Sequence, residues 1–325
     1  MTTRLRLPAA VPGARLSGLG SMQPERVVTN DELSTIMDTN DQWIRERVGI
    51  AERRFAGPKD TVVSMAVEAG SKAIAAAGLV PSDVDTVLVA NCTSTVPIPN
   101  AAAQVADLIG VKAAGGFDLN AACAGFCYAL AAASDMVRAG SAKRVLVIGS
   151  EKLTDVVDPV DRSTAIIFAD GAGAAVVGPS DEAGIGPVAW GTAGDLVDTI
   201  GMTEGKHIYQ EGQSVFRWAT TKIAPIALHA LELAGVQPSD VDVLIPHQAN
   251  LRIVEAIAKR LRKAGAREDM VVADDIVTSG NTSSASIPMA MDHMQAAGRV
   301  HSGDVALLIG FGAGLSYAGQ VVICP

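Results

Sequence analysis

Residues Phe117–Leu130 read FDLNAACAGFCYAL, and the fold can be argued outward from how this stretch changes along its length. It begins extended at Phe117 and Leu119, passes through small residues, and continues as a helix whose Phe126, Leu130 and Ala133 share one face. A strand that turns into a helix through Ala and Gly suits an α/β protein. Cys123 stands at the junction. The first helical turn carries unpaired N–H groups and the positive end of the macrodipole, and both favour a thiolate, the nucleophilic form. Ala121, Ala122, Ala124 and Gly125 leave room for a thioester beside the sulfur. Free cysteine is also among the most buried residue types, so a structural core thiol is the competing reading. Cys127, one turn on, reads as a small core residue.

The chain has 325 residues, 49% hydrophobic and 19% charged, with mean hydropathy +0.28, so it can bury a large core in one large or two medium domains. Aromatics make up only 4% and glycines number 32, which suits close-packed helices and sheets. A net charge of −9 argues against a broad nucleic-acid surface. No apolar run reaches the roughly 18 residues of a membrane span. The start, MTTRLRLPAAVPGAR, lacks the apolar core of a secretory signal. Cysteines 92, 123, 127 and 324 form no disulfide framework, and no Cys/His cluster has zinc spacing. A cytoplasmic protein without membrane or nucleic-acid partners is expected.

Either side of the opening stretch, the periodicity predicts a strand from residue 14, a turn at Met22-Gln23-Pro24, and extended Val27-Val28 before an N-cap at Asn30. Asn40-Asp41 caps a short helix bearing Trp43, Ile44 and Arg47. A helix over 61–77, a buried strand over 84–89, a helix over 100–108 and a strand over 145–148 follow. Residues 166–177 (IIFADGAGAAVV) read as two short strands around a Gly-rich turn. Gly78–Val89 (GLVPSDVDTVLV) and Gly235–Pro246 (GVQPSDVDVLIP) repeat one pattern, and RVLVIGS at 144–150 is echoed by VALLIGFG at 305–312. Two similar α/β halves, 1–180 and 181–325, are expected, with a site between them.

In the second half, a strand over 241–245 runs into Pro246-His247-Gln248-Ala249-Asn250 and then a helix over 251–261. A lone histidine is commonly structural, but His247 lies at a strand end, where sites of α/β proteins collect. After an extended 271–276 comes a small polar loop, Ser279–Ser286, which also reads as a turn before a capped helix. Gly310-Phe311-Gly312-Ala313-Gly314 can bring backbone N–H groups to a ligand, but lacks the order of a dinucleotide fingerprint.

Four of these stretches, in this order, resemble β-ketoacyl-acyl-carrier-protein synthase III: AACAGF at Cys123, PHQAN at His247, GNTSSASIP at Asn281, and GFGAGLSYAG at 310–319. The likeness runs from Arg15 to Val322 and includes the priming ketosynthases of aromatic polyketide pathways. It implies a thiolase-like, layered αβαβα fold of two duplicated halves. It also implies that Cys123 takes an acyl group from CoA, after which carrier-bound malonyl decarboxylates. His247 and Asn281 would stabilise the enolate, and the backbone N–H groups of Cys123 and Ala313 would form the oxyanion hole. The family usually has Gly where Ala313 stands. Trp43, Arg47, Arg162 and Asn250 match CoA-contacting positions; Arg217, Arg252, Lys259 and Arg260 would meet the acidic carrier protein. No metal or redox cofactor is implied, and a homodimer is. Ile98 falls where the partner subunit's pocket is capped, by Phe in some relatives, so a deeper pocket for longer or branched starters is expected. Segment 195–209 looks shorter than in many relatives.

The primary reading is a condensing enzyme initiating fatty-acid synthesis. The alternatives are a priming ketosynthase with a non-acetate starter and a non-condensing acyltransferase on the same fold, against which Asn281 speaks. A non-catalytic partner subunit would be expected to lack Cys123. Chalcone synthase and hydroxymethylglutaryl-CoA synthase fit the motifs less well.

Overall fold

The computed structural model describes residues 8–204 and 207–325; residues 1–7 of the N-terminal stretch and two residues of segment 195–209 lie outside them. Ten strands form two five-stranded sheets. The first comprises β1 (Gly13–Met22), β2 (Thr86–Ala90), β3 (Gly115–Leu119), β4 (Val145–Lys152) and β5 (Asp170–Ser180), in the order β1-β5-β4-β2-β3. The second comprises β6 (Ala189–Thr192), β7 (Val243–Pro246), β8 (Val271–Val272), β9 (Val305–Gly312) and β10 (Ser316–Ile323), in the order β6-β10-β9-β7-β8. Each sheet is antiparallel over its first three strands and parallel over the rest.

The repeated PSDVD segments explain why the sheets match. Each forms a 3-10 turn in which the first aspartate accepts a backbone N–H, Asp83 from Val80 at 2.9 Å and Asp240 from Gln237 at 3.0 Å. The second aspartate then starts the strand: Asp85 N–H donates to Arg144 at 3.1 Å and Asp242 N–H to Val305 at 3.0 Å.

Seven helices of eight residues or more dress the sheets: α1 (Asp41–Val48), α2 (Val62–Ala76), α3 (Ala101–Ile109), α4 (Gly125–Ala139), α5 (Gly212–Ala234), α6 (Leu251–Lys263) and α7 (Ser286–Ala296). Helices α4 and α7 lie between the sheets and touch strands of both; α2 and α3 cover the outside of the first, α5 and α6 the outside of the second. The result is an αβαβα stack. Phe126, Leu130 and Ala133 of α4 are buried in the middle layer, together with Cys127. No helix among the described residues is long and apolar enough to cross a membrane.

Four local expectations are corrected. Thr29, not Asn30, caps the first short helix; Asn30 is buried and donates to Asp41 and to the Ile50 carbonyl. Residues 170–180 form one unbroken strand. Gly173 serves close packing there rather than a turn, because a Cβ would lie 2.6 Å from the backbone nitrogen of Met289 on α7. The stretch 271–276 is extended only at 271–272, and Ile276–Ser279 is helical. The Gly-rich run 310–314 is strand as far as Gly312.

Candidate active site

Cys123 falls in a single 3-10 turn, Ala122–Ala124, between β3 and α4. Ala122 holds φ +45°, a left-handed conformation costly for a residue with a Cβ, and its N–H donates to Asn120 Oδ1 at 3.1 Å. The turn presses against the end of β9. A Cβ on Gly312 would lie 2.7 Å from Cys123 Cβ and 3.0 Å from its sulfur, so only glycine lets the two backbones meet. Neither the Cys123 nor the Ala313 N–H is used in a turn, loop or cap hydrogen bond among the described residues.

The sulfur faces a cavity with mostly apolar walls and is poorly solvated. That burial pushes the thiol up to about 12; the Ser283 hydroxyl pulls it down, and the charge of Glu151 pushes it further up. This corrects the expectation of a thiolate held by the helix end. Helix α4 starts only at Gly125, two residues beyond Cys123, and the desolvation that dominates at the sulfur favours the thiol.

His247 follows the last residue of β7, and its N–H donates to the Ile309 carbonyl of β9 at 2.9 Å. The ring packs edge-on to Phe311 with centroids 5.3 Å apart. Burial drives it down to about 3, so the imidazole is neutral. Its Nδ1 lies 2.7 Å from Ser286 Oγ, which already accepts the Gln248 N–H at 3.3 Å. The Ser286 hydroxyl has no other acceptor among the described residues, so the network assigns its proton to Nδ1 and leaves the ring's own proton on Nε2.

Asn281 is pinned by two backbone bonds, N–H to Ile167 and carbonyl from Ala169, both 2.9 Å. Its Oδ1 accepts the Ser283 N–H at 2.8 Å, which leaves the amide NH2 as its free end. A cavity of about 300 Å³ is lined by Cys123, His247, Asn281 and Ala313 together, so one thiol and two neutral hydrogen-bond donors share one space. Segment 195–209 enters its wall through the hairpin Ile200–Met202 and Ile208–Gln210. Among the described residues no three His, Cys, Asp or Glu side chains converge as metal ligands would.

Asn250 also lines the cavity, and it joins the cavity to a second cluster outside it. Its Oδ1 caps α6, and its Nδ2 donates to the Arg47 carbonyl at 3.1 Å. The guanidinium carbons of Arg162 and Arg47 lie 4.7 and 5.4 Å from the Trp43 ring centroid. Arg217 on α5 and Arg252, Lys259 and Arg260 on α6 are exposed on packed neighbours. Arg252 lies over the ring of Phe216, 5.0 Å from its centroid, and Phe216 lines the cavity, so the basic face adjoins the cavity wall. Ile98 is 85% exposed and does not line the cavity of its own chain.

Sequence reasoning missed Ser286, which sets the histidine tautomer, and Glu151, a fully buried acidic side chain whose partners Cys92 and Ser283 line the same cavity. The signal for Glu151 was a charge ending the apolar run VLVIGS; nothing local marked Ser286 within its polar loop.

The profile described as 3-oxoacyl-[acyl-carrier-protein] synthase III matches residues 117–194, and that of its C-terminal part matches 231–324. The chain is 50% identical to β-ketoacyl-[acyl-carrier-protein] synthase III 4 of Streptomyces coelicolor, covering 96% of this chain and 99% of that one. It is 47% identical to the synthase III of Streptomyces glaucescens, over 99% of this chain and 100% of the other. Among solved structures, the priming β-ketosynthase from the R1128 polyketide biosynthetic pathway superposes with a TM-score of 0.95 at 44% identity, covering 99% and 98% of the two chains. The synthase III of Aquifex aeolicus does so with a TM-score of 0.90 at 37% identity, covering 96% and 100%. With the thiol, the imidazole and the carboxamide gathered in one cavity of a two-sheet αβαβα stack, the chain belongs to the β-ketoacyl-acyl-carrier-protein synthase III family of condensing acyltransferases.

Proposed function

We propose that Cys123, His247 and Asn281 join an acyl-CoA starter to malonyl-carrier protein, giving a β-ketoacyl-carrier protein, carbon dioxide and free CoA. The observation that carries this reading is the pairing of one thiol with two donors, the His247 Nε2–H and the Asn281 amide, around one cavity. In the first half-reaction the Cys123 sulfur forms a thioester, and its proton ends on the released CoA sulfur. The N–H groups of Cys123 and Ala313, both residues of the cavity wall, then stabilise the oxygen that gains charge. In the second, the malonyl thioester carbonyl sits against the two donors, which stabilise the enolate left as carbon dioxide departs. The enolate carbon attacks the acyl carbonyl, and Cys123 leaves as a thiolate that takes one proton from water to become the thiol again, so ping-pong kinetics are expected. The atoms balance without a metal or redox partner. A neutral imidazole suits this role, because it donates without needing to titrate.

The Trp43–Arg47–Arg162 cluster supports a site for the CoA adenine and phosphates, with Asn250 along the pantetheine path. The basic face of α5 and α6 supports docking of an acidic carrier protein. A homodimer is supported by β3 at the sheet edge, with Phe117 42%, Val96 52% and Ile98 85% exposed on or near it. Ile98 would then cap the partner's pocket. We read 1–180 and 181–325 as the two duplicated halves, and the cytoplasm as the compartment.

The pathway has two readings. Initiation of fatty-acid synthesis is the first. Priming of a polyketide pathway is the second, favoured by the superposition on the R1128 priming ketosynthase. Intact mass after mixing with a panel of acyl-CoAs, followed by carbon dioxide release from malonyl-carrier protein, tests the chemistry. Acyl mass is expected on the wild type and not on C123A, and gas release is expected to fall at least about 100-fold in N281A with acylation intact. Acylation without any gas release would instead make the chain a non-condensing acyltransferase.

A further inference from the structure

Arg53 is fully buried, and the proposed chemistry does not use it. It lies in a small two-stranded sheet formed by Arg26–Thr29 and Glu52–Phe55, where it pairs with Val28. Taking a guanidinium out of water is costly, and a carboxylate ordinarily offsets that cost. Here every acceptor is neutral. One terminal nitrogen donates to the Val28 carbonyl at 3.3 Å; the other donates to Asn30 Oδ1 at 2.8 Å and to the Ile166 carbonyl at 3.0 Å. Its Nε has no acceptor among the described residues. An apolar side chain could fill the same space without the desolvation cost, so what the guanidinium adds is a fixed geometry.

The segment it holds is the one that supports Asn281. The N–H groups of Ile167 and Phe168 donate to the Thr164 carbonyl at 2.9 and 3.2 Å, so Ile166 sits inside a closed turn. The far end of that turn makes both backbone bonds to Asn281, through the Ile167 carbonyl and the Ala169 N–H. Arg53 also reaches Asn281 from its other side. Gly280, the preceding residue, lies against the Arg53 stem: a Cβ there would be 2.8 Å from Arg53 Cβ and 2.8 Å from Ala169 Cβ. Gly280 holds φ +71°, so conformation and space both call for glycine. The other two site residues are anchored elsewhere, Cys123 in its own 3-10 turn and His247 by Ile309 and Ser286.

We infer that Arg53 is a positioning residue for Asn281: it ties the 164–169 turn to the small sheet and packs against Gly280, and so fixes where the Asn281 amide stands in the cavity. Enolate stabilisation in the second half-reaction then depends on Arg53, while acyl transfer to Cys123 does not. The inference rests on the condensing role proposed for Asn281.

The test separates the half-reactions in R53K, R53M and N281A. Methionine keeps the stem alone; lysine keeps the charge and a donor but not the planar fork. Acyl-enzyme formation is followed by intact mass at saturating acyl-CoA, because Arg162 of the proposed CoA site lies just before the turn. Carbon dioxide release is then followed on the isolated acyl-enzyme at saturating malonyl-carrier protein. Release is expected to fall about tenfold or more in R53M and by less in R53K, with acylation within about threefold of the wild type. A merely structural role would lower Tm and slow both half-reactions together. Unchanged release in a folded R53M, or an equal fall in both half-reactions, overturns the assignment; if R53M does not fold, R53K decides by the same two criteria. If N281A releases carbon dioxide at the wild-type rate, the role of Asn281 has failed; if N281A is impaired and R53M is not, only the Arg53 assignment has.

Discussion

Replacing Gly312 by Ala tests the closest approach in the site. The backbone at Gly312 is extended, at φ −179°, so the substitution meets no conformational barrier and acts through space alone. The new methyl would lie 2.7, 2.9 and 3.0 Å from Cys123 Cβ, N and Sγ, where ordinary contact begins at 3.4 Å, so the turn must retreat by about 0.7 Å (3.4 − 2.7). Overpacking of this kind costs about 1–3 kcal/mol in stability. A misplaced nucleophile costs more in rate, because a shift on the order of 1 Å can slow a reaction about 100-fold. Rapid-quench acylation with an acyl-CoA, read as acyl-enzyme by intact mass, is expected to be tens of times slower or worse in G312A. Gly178 provides the control: its methyl would meet only the Arg144 side chain, at an ordinary 3.8 Å, so G178A makes the same chemical change away from the thiol. If G312A acylates within about threefold of G178A and the wild type, the cavity has more slack than these distances allow and the packing argument is wrong.

Two further outcomes are expected. The His247 imidazole is held neutral, with its folded value at about 3 against 6.5 in an unfolded chain. The unfolded state therefore binds the extra proton first, so the stability tied to the neutral ring is complete above 6.5 and is lost as pH falls towards 3. At pH 5 the loss is 1.5 units, about 2 kcal/mol. Urea titrations at pH 7.5 and 5 should show this extra loss in the wild type and not in H247N; parallel losses would show that the ring is solvated. At Ile98, enlargement to Phe in the proposed dimer should shorten the partner's pocket and shift preference from C4–C8 starters towards acetyl by about tenfold or more. An unchanged acyl-CoA profile for I98F would mean that this side chain does not reach the pocket.

The sequence was most informative where a short segment carried its own physics. The strand-to-helix junction at Cys123, the Asn40 cap and the strands that follow the duplicated PSDVD segments each form by local hydrogen bonding and apolar period, and they stand where their residues predicted. Local reading failed at Gly171 and Gly173. Glycine in a strand signals equally a turn or a close neighbour, and the neighbour, α7, lies more than a hundred residues away along the chain.

The thiol, the imidazole and the carboxamide were legible as candidates from four motifs in the family's order. Their chemical states were not. The protonation of Cys123 depends on burial in a cavity walled in part by Ile200–Met202 and Ile208–Gln210, and on Ser283 and Glu151 from other elements. The tautomer of His247 depends on Ser286 at the head of a distant helix. Desolvation and long-range hydrogen bonds are properties of the packed molecule, and a linear sequence does not say which groups the fold will remove from water together.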